Sequence, residues 1–530
     1  MLHRELRTVT LLAALVSLIS CGNGAGEPVA AATGAAPAPI DAKIVPPMEI
    51  GMNLSPAGPF FPAPMTANLI AAHGSLWLVG NNGWDFESKL IKRDAGGHPV
   101  DMAKGTQIIV AVRPEIRDSH YRDVDCSLSP GWSVQAMFSA RKNGGDEKFR
   151  IVSAGQPKIP GDYGVKLLLT AKENGASLLQ ADCREQGVAP DATIDPDAIS
   201  DARPFKVIRF MDWMATNEGE PRTWADRSKP TDFNQTTGKG IAVEYMVDLA
   251  NRVQADPWFT MPMNADDAYY RNFAIYVRDH LAPERKAYVE LSNEVWNTIF
   301  KAAQEATAKG MAAYPGEKDS KANDYYYADR VRAVMAIWSE VFAGRKDRLV
   351  RVISSQAVWP ERAENILGHK ETWRSGDMYA TAPYFGSNGF DINTQDPKAR
   401  IEALFAKGPQ AVDDQINFAL RAKAIAARYG LRFGTYEGGP GYSSESPEMQ
   451  EQLNRLNRDP RIYDLYSLFL KRWAERVGGL YMAYNSVGEF GQYGAWGHKE
   501  FRDATPAESP KWRALTDFIA SHPSAGNAAR

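Results

Sequence analysis

The 530-residue sequence predicts an α/β fold: a (β/α)8 TIM barrel with a β-sandwich domain inserted between its first and second strands. Three observations carry this. Strand-like and helix-like segments alternate seven times between residues 205 and 522. An apolar segment at 48–54 supplies an eighth strand. The stretch between those first two strands is punctuated by Gly, Pro and Asn and is rich in short β-branched runs. An open doubly wound sheet is the alternative, but no GxGxxG turn follows the first strand.

The elements are justified in chain order. Arg4 and Arg7 precede an apolar run, Val9–Ile19, that is too short to span a bilayer as a lasting helix. It ends in "LISC", Leu18 to Cys21, which resembles a bacterial lipobox. The expectation is a lipoprotein signal peptide over 1–20, lipidation at Cys21 and, because Gly22 rather than Asp follows, an outer-membrane lipoprotein. Removing residues 1–20 removes Arg4, Arg7 and Glu5, which takes the net charge from −3 to −4. Residues 21–47 are mostly Ala, Gly and Pro and read as a flexible tether. "MEIGMNL" (48–54) opens the barrel, and 48–73 is read as the first strand and its loop. The sandwich is assigned to 74–185 from "SLWLVG", "TQIIVAV", "WSVQAMF", "FRIVSA" and "GVKLLLTA". Cys126 and Cys183 both lie in it, and an exported chain meets an oxidising compartment, so a disulfide between them is expected.

The rest of the barrel occupies 186–524. Its strands are read at 205–213, 257–263, 286–292, 348–355, 377–385, 431–437 and 479–487. Helical sequence follows each: 240–253, 266–281, two helices reaching Phe342, 361–367, 411–430, 447–476 and 510–522.

Composition excludes several functions. Sixty-one basic against 64 acidic residues, with no basic run, argues against nucleic acid. Eight His, no two at ligand spacing, argue against a metal, and no cofactor motif is present. No GxSxG turn supports serine hydrolase chemistry. The 13 Trp and 21 Tyr suit cores and also stacking on sugar rings. The expected partner is a carbohydrate, the membrane is expected to be met only through the lipid anchor, and a monomer is expected.

Barrel active sites lie at the C-terminal ends of the strands. There the sequence places Arg209 and Asp212 after strand two, Asn264 and Asp266-Asp267 after strand three, and Asn293-Glu294 after strand four. Tyr384 follows strand six, Glu437 strand seven, and Asn485, Glu489 and Trp496 strand eight. Glu294 and Glu437 stand on opposite sides of the mouth, where glycoside hydrolysis needs its two carboxyl groups, about 5–5.5 Å apart for retention. The competing readings are a helix cap for Asn293-Glu294, a solvated turn for Glu437, core packing for Tyr384 and Trp496, and ion pairs inside the barrel for Arg209 and Glu290.

An Asn-Glu pair ending strand four and a Glu ending strand seven resemble the clan A glycoside hydrolases. The resemblance implies Glu294 as acid/base, Glu437 as nucleophile and Asn293 as ligand of the sugar 2-hydroxyl. It also implies that Arg209 keeps the nucleophile ionised, Tyr384 bonds it and Trp496 floors the site; Asn264 and Asp212 complete the expected sugar contacts. "GMNL", "LIKRDAGGHPV", "RFMDWMATN", Trp224-Ala-Asp-Arg and "ELSNEVWN" resemble secreted bacterial proteins labelled only as cellulose-binding or hypothetical. The sequence departs from the clan at "MPMN" (261–264), where many members place a His. The expected function is therefore a retaining glycoside hydrolase. Its rivals are a glycan-binding lipoprotein on a degenerate barrel and, more remotely, a polysaccharide lyase using Tyr384 and Arg209. Side chains alternate along a strand, so Asn293 and Glu294 can both face the cleft only if the strand ends or bends between them.

Overall fold

A computed structural model describes residues 39–527, apart from 57, 59, 60, 62, 82, 114–121, 139 and 153–163. The expected signal peptide, Cys21 and most of the tether lie outside the described residues.

Eight parallel strands close into a barrel: β1 (Met48–Asn53), β2 (Val207–Arg209), β3 (Asp256–Met261), β4 (Ala287–Leu291), β5 (Leu349–Ser354), β6 (Met378–Thr381), β7 (Arg432–Thr435) and β8 (Gly479–Ala483). Closure runs through β1 and β8, from Met48 opposite Gly479 to Met52 opposite Ala483. Alternation sends Ile208, Phe259, Val289 and Ile353 outward to the helices. It sends Val207, Trp258, Tyr288, Val352, Met378 and Met482 inward, where they fill the barrel as a separate cluster. Trp258 and Tyr288 stack with centroids 5.5 Å apart. Gly51 leaves room for this filling, because a Cβ there would stand 2.1 Å from Met482 Sδ.

The strands are shorter than their sequence signals, chiefly at the C-terminal ends that build the site. The segment 377–385 is not one strand. It breaks before Pro383, which has no N–H to give a ladder. Tyr384–Phe385 then pair with Gly439–Pro440 in a two-stranded sheet above the barrel. The helix expected from 411 begins at Pro397 and carries Pro409 inside it. There it packs on the helix Arg461–Arg476, whose Arg472 donates to the Pro409 carbonyl at 3.0 Å.

The insertion is a sandwich of a five-stranded and a four-stranded antiparallel sheet. Leu76, Ile108, Val110, Leu167 and Leu169 of one face Val124, Phe149 and Ile151 of the other in a single core. Cys126 and Cys183 are bonded to each other across two adjacent strands of the smaller sheet, where they stand directly opposite. The short helix Leu69–His73 contributes Leu69 and Ile70 to the sandwich core, and Asn68 caps it while bonding the Cys183 N–H and the Ala181 carbonyl. Glu185 latches the sandwich to the barrel, accepting from Arg113 at 2.7 Å and from Arg502 at 2.6 Å.

The tether reading is also corrected at its end. Ile40 donates its N–H to the Ala427 carbonyl, and Lys423 donates to the Ile44 carbonyl at 2.8 Å, so this part of the chain lies on the barrel. Apolar content says nothing of such backbone bonds. No helix among the described residues is long and apolar enough to cross a membrane.

Candidate active site

Strand β4 ends at Leu291, and the next residues leave the β region. Ser292 has φ +60° and Glu294 has φ +40°, left-handed conformations that side-chain-bearing residues adopt at a cost. This turn suspends alternation, and Asn293 and Glu294 both reach the barrel mouth. The helix-cap reading fails, because the next helix begins only at Lys301 with Phe300 as its cap. Strand β7 likewise ends at Thr435, and both Tyr436 and Glu437 then contribute to the site.

Arg209, fully buried at the end of β2, organises the centre. Its Nε and Nη2 donate to Glu290 Oε2 at 3.0 and 2.8 Å. Nη1 donates to Asn53 Oδ1 at 2.9 Å and to Glu437 Oε2 at 3.3 Å, and Nη2 also donates to Asn293 Oδ1 at 2.9 Å. One guanidinium thus joins residues from β1, β2, β4 and β7. Trp258 Nε1 adds a bond to Glu290 at 3.0 Å, and the Asn53 amide is held by the carbonyls of Tyr436 and Ala483. Glu290 forms the internal ion pair of Arg209.

Tyr384 donates its hydroxyl to Glu437 Oε1 at 3.0 Å, so each oxygen of Glu437 has one donor. Glu294 is held differently. Tyr436 donates to its Oε1 at 3.2 Å and Asn297 to its Oε2 at 3.0 Å, and among the described residues no cation bonds it. Both carboxyls are buried, and burial pushes both up. Glu294 rises to about 8, through burial and then the charge of Glu437. In Glu437 the guanidinium of Arg209 and the Tyr384 hydroxyl oppose the effect of burial. The guanidinium beside Glu437 favours its charged form, while Glu294 has no such partner among the described residues.

The remaining expected residues divide. Asp212 is half-buried and accepts from the Tyr484 hydroxyl at 3.3 Å; burial and the charge of Glu437 raise it to about 7. Trp496 packs edge-on against Tyr384, with centroids 5.3 Å apart, in a cluster with Met211 and Tyr484. Asn264 stands apart from this network: Tyr326 donates to its oxygen and its amide donates to Glu305. Asp266 is a helix cap, bonding the Tyr269 N–H. Asn53, Tyr436 and Asn297 were missed. "GMNL" contains Asn53 and "TYEGG" contains Tyr436, yet neither is a carboxylic acid, and only folding brings them to the carboxyls.

A cavity of about 830 Å³ opens at the opposite, N-terminal end of the barrel, lined by Lys206, Asp256, Lys286 and Arg432 among others. It is remote from the paired carboxyls and is not the candidate active site. Among the described residues, no group of three or more His, Cys, Asp or Glu is arranged to hold a metal.

No family model and no curated protein matches the chain. Among solved structures it is similar to a family 51 alpha-L-arabinofuranosidase from Bifidobacterium longum, at 12% identity and TM-score 0.36 over 56% of this chain and 63% of that one. It is similar to a beta-glucosidase from Thermotoga maritima in complex with castanospermine, at 13% identity and TM-score 0.36 over 63% and 85%. It is also similar to a GH39 enzyme from Xanthomonas axonopodis pv. citri, at 15% identity and TM-score 0.37 over 62% and 63%. The chain spans less than two thirds of the first and third of these. The barrel assignment rests on this chain's own strand pairing.

Proposed function

We propose that the protein is a retaining glycoside hydrolase acting on a poly- or oligosaccharide, with Glu437 as nucleophile and Glu294 as acid/base. One observation carries the reading. Two buried carboxyls meet at the mouth from β4 and β7, and a single cation, Arg209, bonds only one of them. That asymmetry favours the charged form of Glu437 over that of Glu294, which supports the division of roles the chemistry requires.

In the first step a Glu437 oxygen attacks the anomeric carbon, the glycosidic C–O bond breaks, and Glu294 gives its proton to the departing oxygen. The product is a glycosyl ester on Glu437 and a carboxylate on Glu294. In the second step Glu294 takes a proton from water, the water oxygen attacks the anomeric carbon, and the ester bond breaks. Both carboxyls return to their starting states. Asn293 has its oxygen fixed by Arg209 and one amide hydrogen engaged with Asn217 at 3.1 Å, which leaves the second hydrogen for a sugar hydroxyl. Trp496 supplies an aromatic wall beside Tyr384.

The test is turnover of a glycan panel by the Glu294→Gln and Glu437→Gln variants, with the product anomer read by NMR. Each variant should lose several orders of magnitude while keeping a cooperative thermal transition. Substantial activity in Glu437→Gln removes the nucleophile assignment. Glycan binding without catalysis would show as a missing carboxylate or as a site too wide for chemistry; both carboxylates are present in the sequence, which favours the enzyme.

We further propose that the chain is lipidated at Cys21 and resides as a monomer in the outer membrane. Metabolic labelling with a fatty-acid probe, lost in Cys21→Ser, tests the anchor; light scattering of that variant tests the monomer.

A further inference from the structure

The charges around the two carboxyls restrict the sugar. A guanidinium has five N–H donors, and all five of Arg209 are engaged inside the protein, on Glu290, Asn53, Glu437 and Asn293. None is left for a ligand. No other described basic side chain bonds or pairs with Glu294, Glu437 or Asp212. The positive charge of Arg209 is matched by Glu290 beneath it, so the site opens on the negative charge of Glu437 and two further carboxyls.

Asp212 is the third carboxyl. One of its oxygens accepts from Tyr484, while the other takes a bond from no described residue. The group is half-buried and bonded to Tyr484, which clusters with Met211, Trp496 and Tyr384, the tyrosine that donates to Glu437. A sugar carboxylate brought here would meet the negative charge of Glu437 with no free cation among the described residues to receive it, a like-charge juxtaposition that disfavours binding. A sugar hydroxyl or ammonium would meet an acceptor already in place.

We propose that the sugar taken by Glu437 carries no carboxylate and is held by a hydroxyl or amino hydrogen donated to Asp212. Asp212 is then a specificity-determining residue, and uronides are rejected. The lyase rival falls with it, since the arginine that was to neutralise a uronate is fully engaged. The proposal rests on the glycosidase reading of the site and deepens it.

The experiment uses aryl glycosides of neutral hexoses and pentoses, matching 2-amino sugars, and matching uronic acids, with kcat/KM and Tm measured for wild type and Asp212→Asn. The expected result is cleavage of a neutral or amino glycoside, with uronides at least about 100-fold slower. Asp212→Asn should lower kcat/KM on the accepted glycoside about tenfold or more, chiefly through KM, with Tm unchanged. The neutral and amino arms show which donor Asp212 takes. A uronide cleaved at a comparable rate overturns the proposal, as does Asp212→Asn within twofold of wild type. A second readout is calorimetric binding of neutral and uronic oligosaccharides to Glu294→Gln, with and without Asp212→Asn. If nothing is cleaved yet neutral oligosaccharides bind and Asp212→Asn weakens them, the hydrolase reading fails and this one stands. If no neutral or amino oligosaccharide binds, both fail.

Discussion

Tyr436→Phe isolates the contact that sets the proton on Glu294. The phenol donates to Glu294 Oε1 at 3.2 Å, and its ring lies 5.2 Å from the guanidinium carbon of Arg209. Phenylalanine keeps the ring and removes only the donor. That donor stabilises the carboxylate form, so it holds Glu294 below the value burial alone would give. A hydrogen bond to a charged group contributes about 1.5–3 kcal/mol. At 3.2 Å the lower end applies, and about 1.4 kcal/mol corresponds to one pH unit. The acid must be protonated to act, so activity falls as pH rises through the Glu294 value of about 8. Removing the donor raises that value, and the alkaline limb should move up by about one pH unit. The assay is kcat/KM against pH on an aryl glycoside, with Tm recorded alongside. An unmoved or lowered alkaline limb, in a variant of unchanged Tm, refutes the reasoning.

Three further outcomes are expected. Arg209→Leu strands Glu290 and Glu437 without their cation and should cost about 3–5 kcal/mol by denaturant titration. Gly51→Ala drives a Cβ against Met482 and the Val207 carbonyl and should cost about 1–3 kcal/mol, read in the same titration. The third concerns pH. Glu294 is raised in the folded state, so from its ordinary value of 4.5 up to about 8 the unfolded chain sheds a proton that the folded protein keeps. Stability contributed by this group is present below that window and is lost across it as pH rises. Wild-type Tm should therefore fall more steeply between pH 5 and 8 than the Tm of Glu294→Gln, by calorimetry.

The barrel was legible because eight apolar segments recur with helical sequence between them, and the sandwich because its strands change period and punctuation. Glu294 and Glu437 were found by counting strands, and Arg209 and Tyr384 through the resemblance. What stayed hidden depends on where strands stop. Nothing in "ELSNEV" announces left-handed backbone at Ser292 and Glu294, and neither residue is a glycine. Asn53 and Tyr436 were passed over because an amide and a phenol at a strand end look like core or cap until a partner hundreds of residues away is known. Asn264 follows β3 as expected, and its amide is bonded by Glu305 and Tyr326, on helices packed beside it, partners that the sequence does not announce.

The left-handed turn at 292–294 bears on any attempt to transplant this chemistry. Copying Asn293 and Glu294 as letters onto the fourth strand of another barrel would bury one and leave the other at the rim, because a regular strand sends neighbours to opposite faces. The transferable unit is the backbone path from Leu291 to Val295 together with Arg209, whose bond to Asn293 ties that path to the barrel wall. A graft without both would have the right composition and the wrong handedness at its centre.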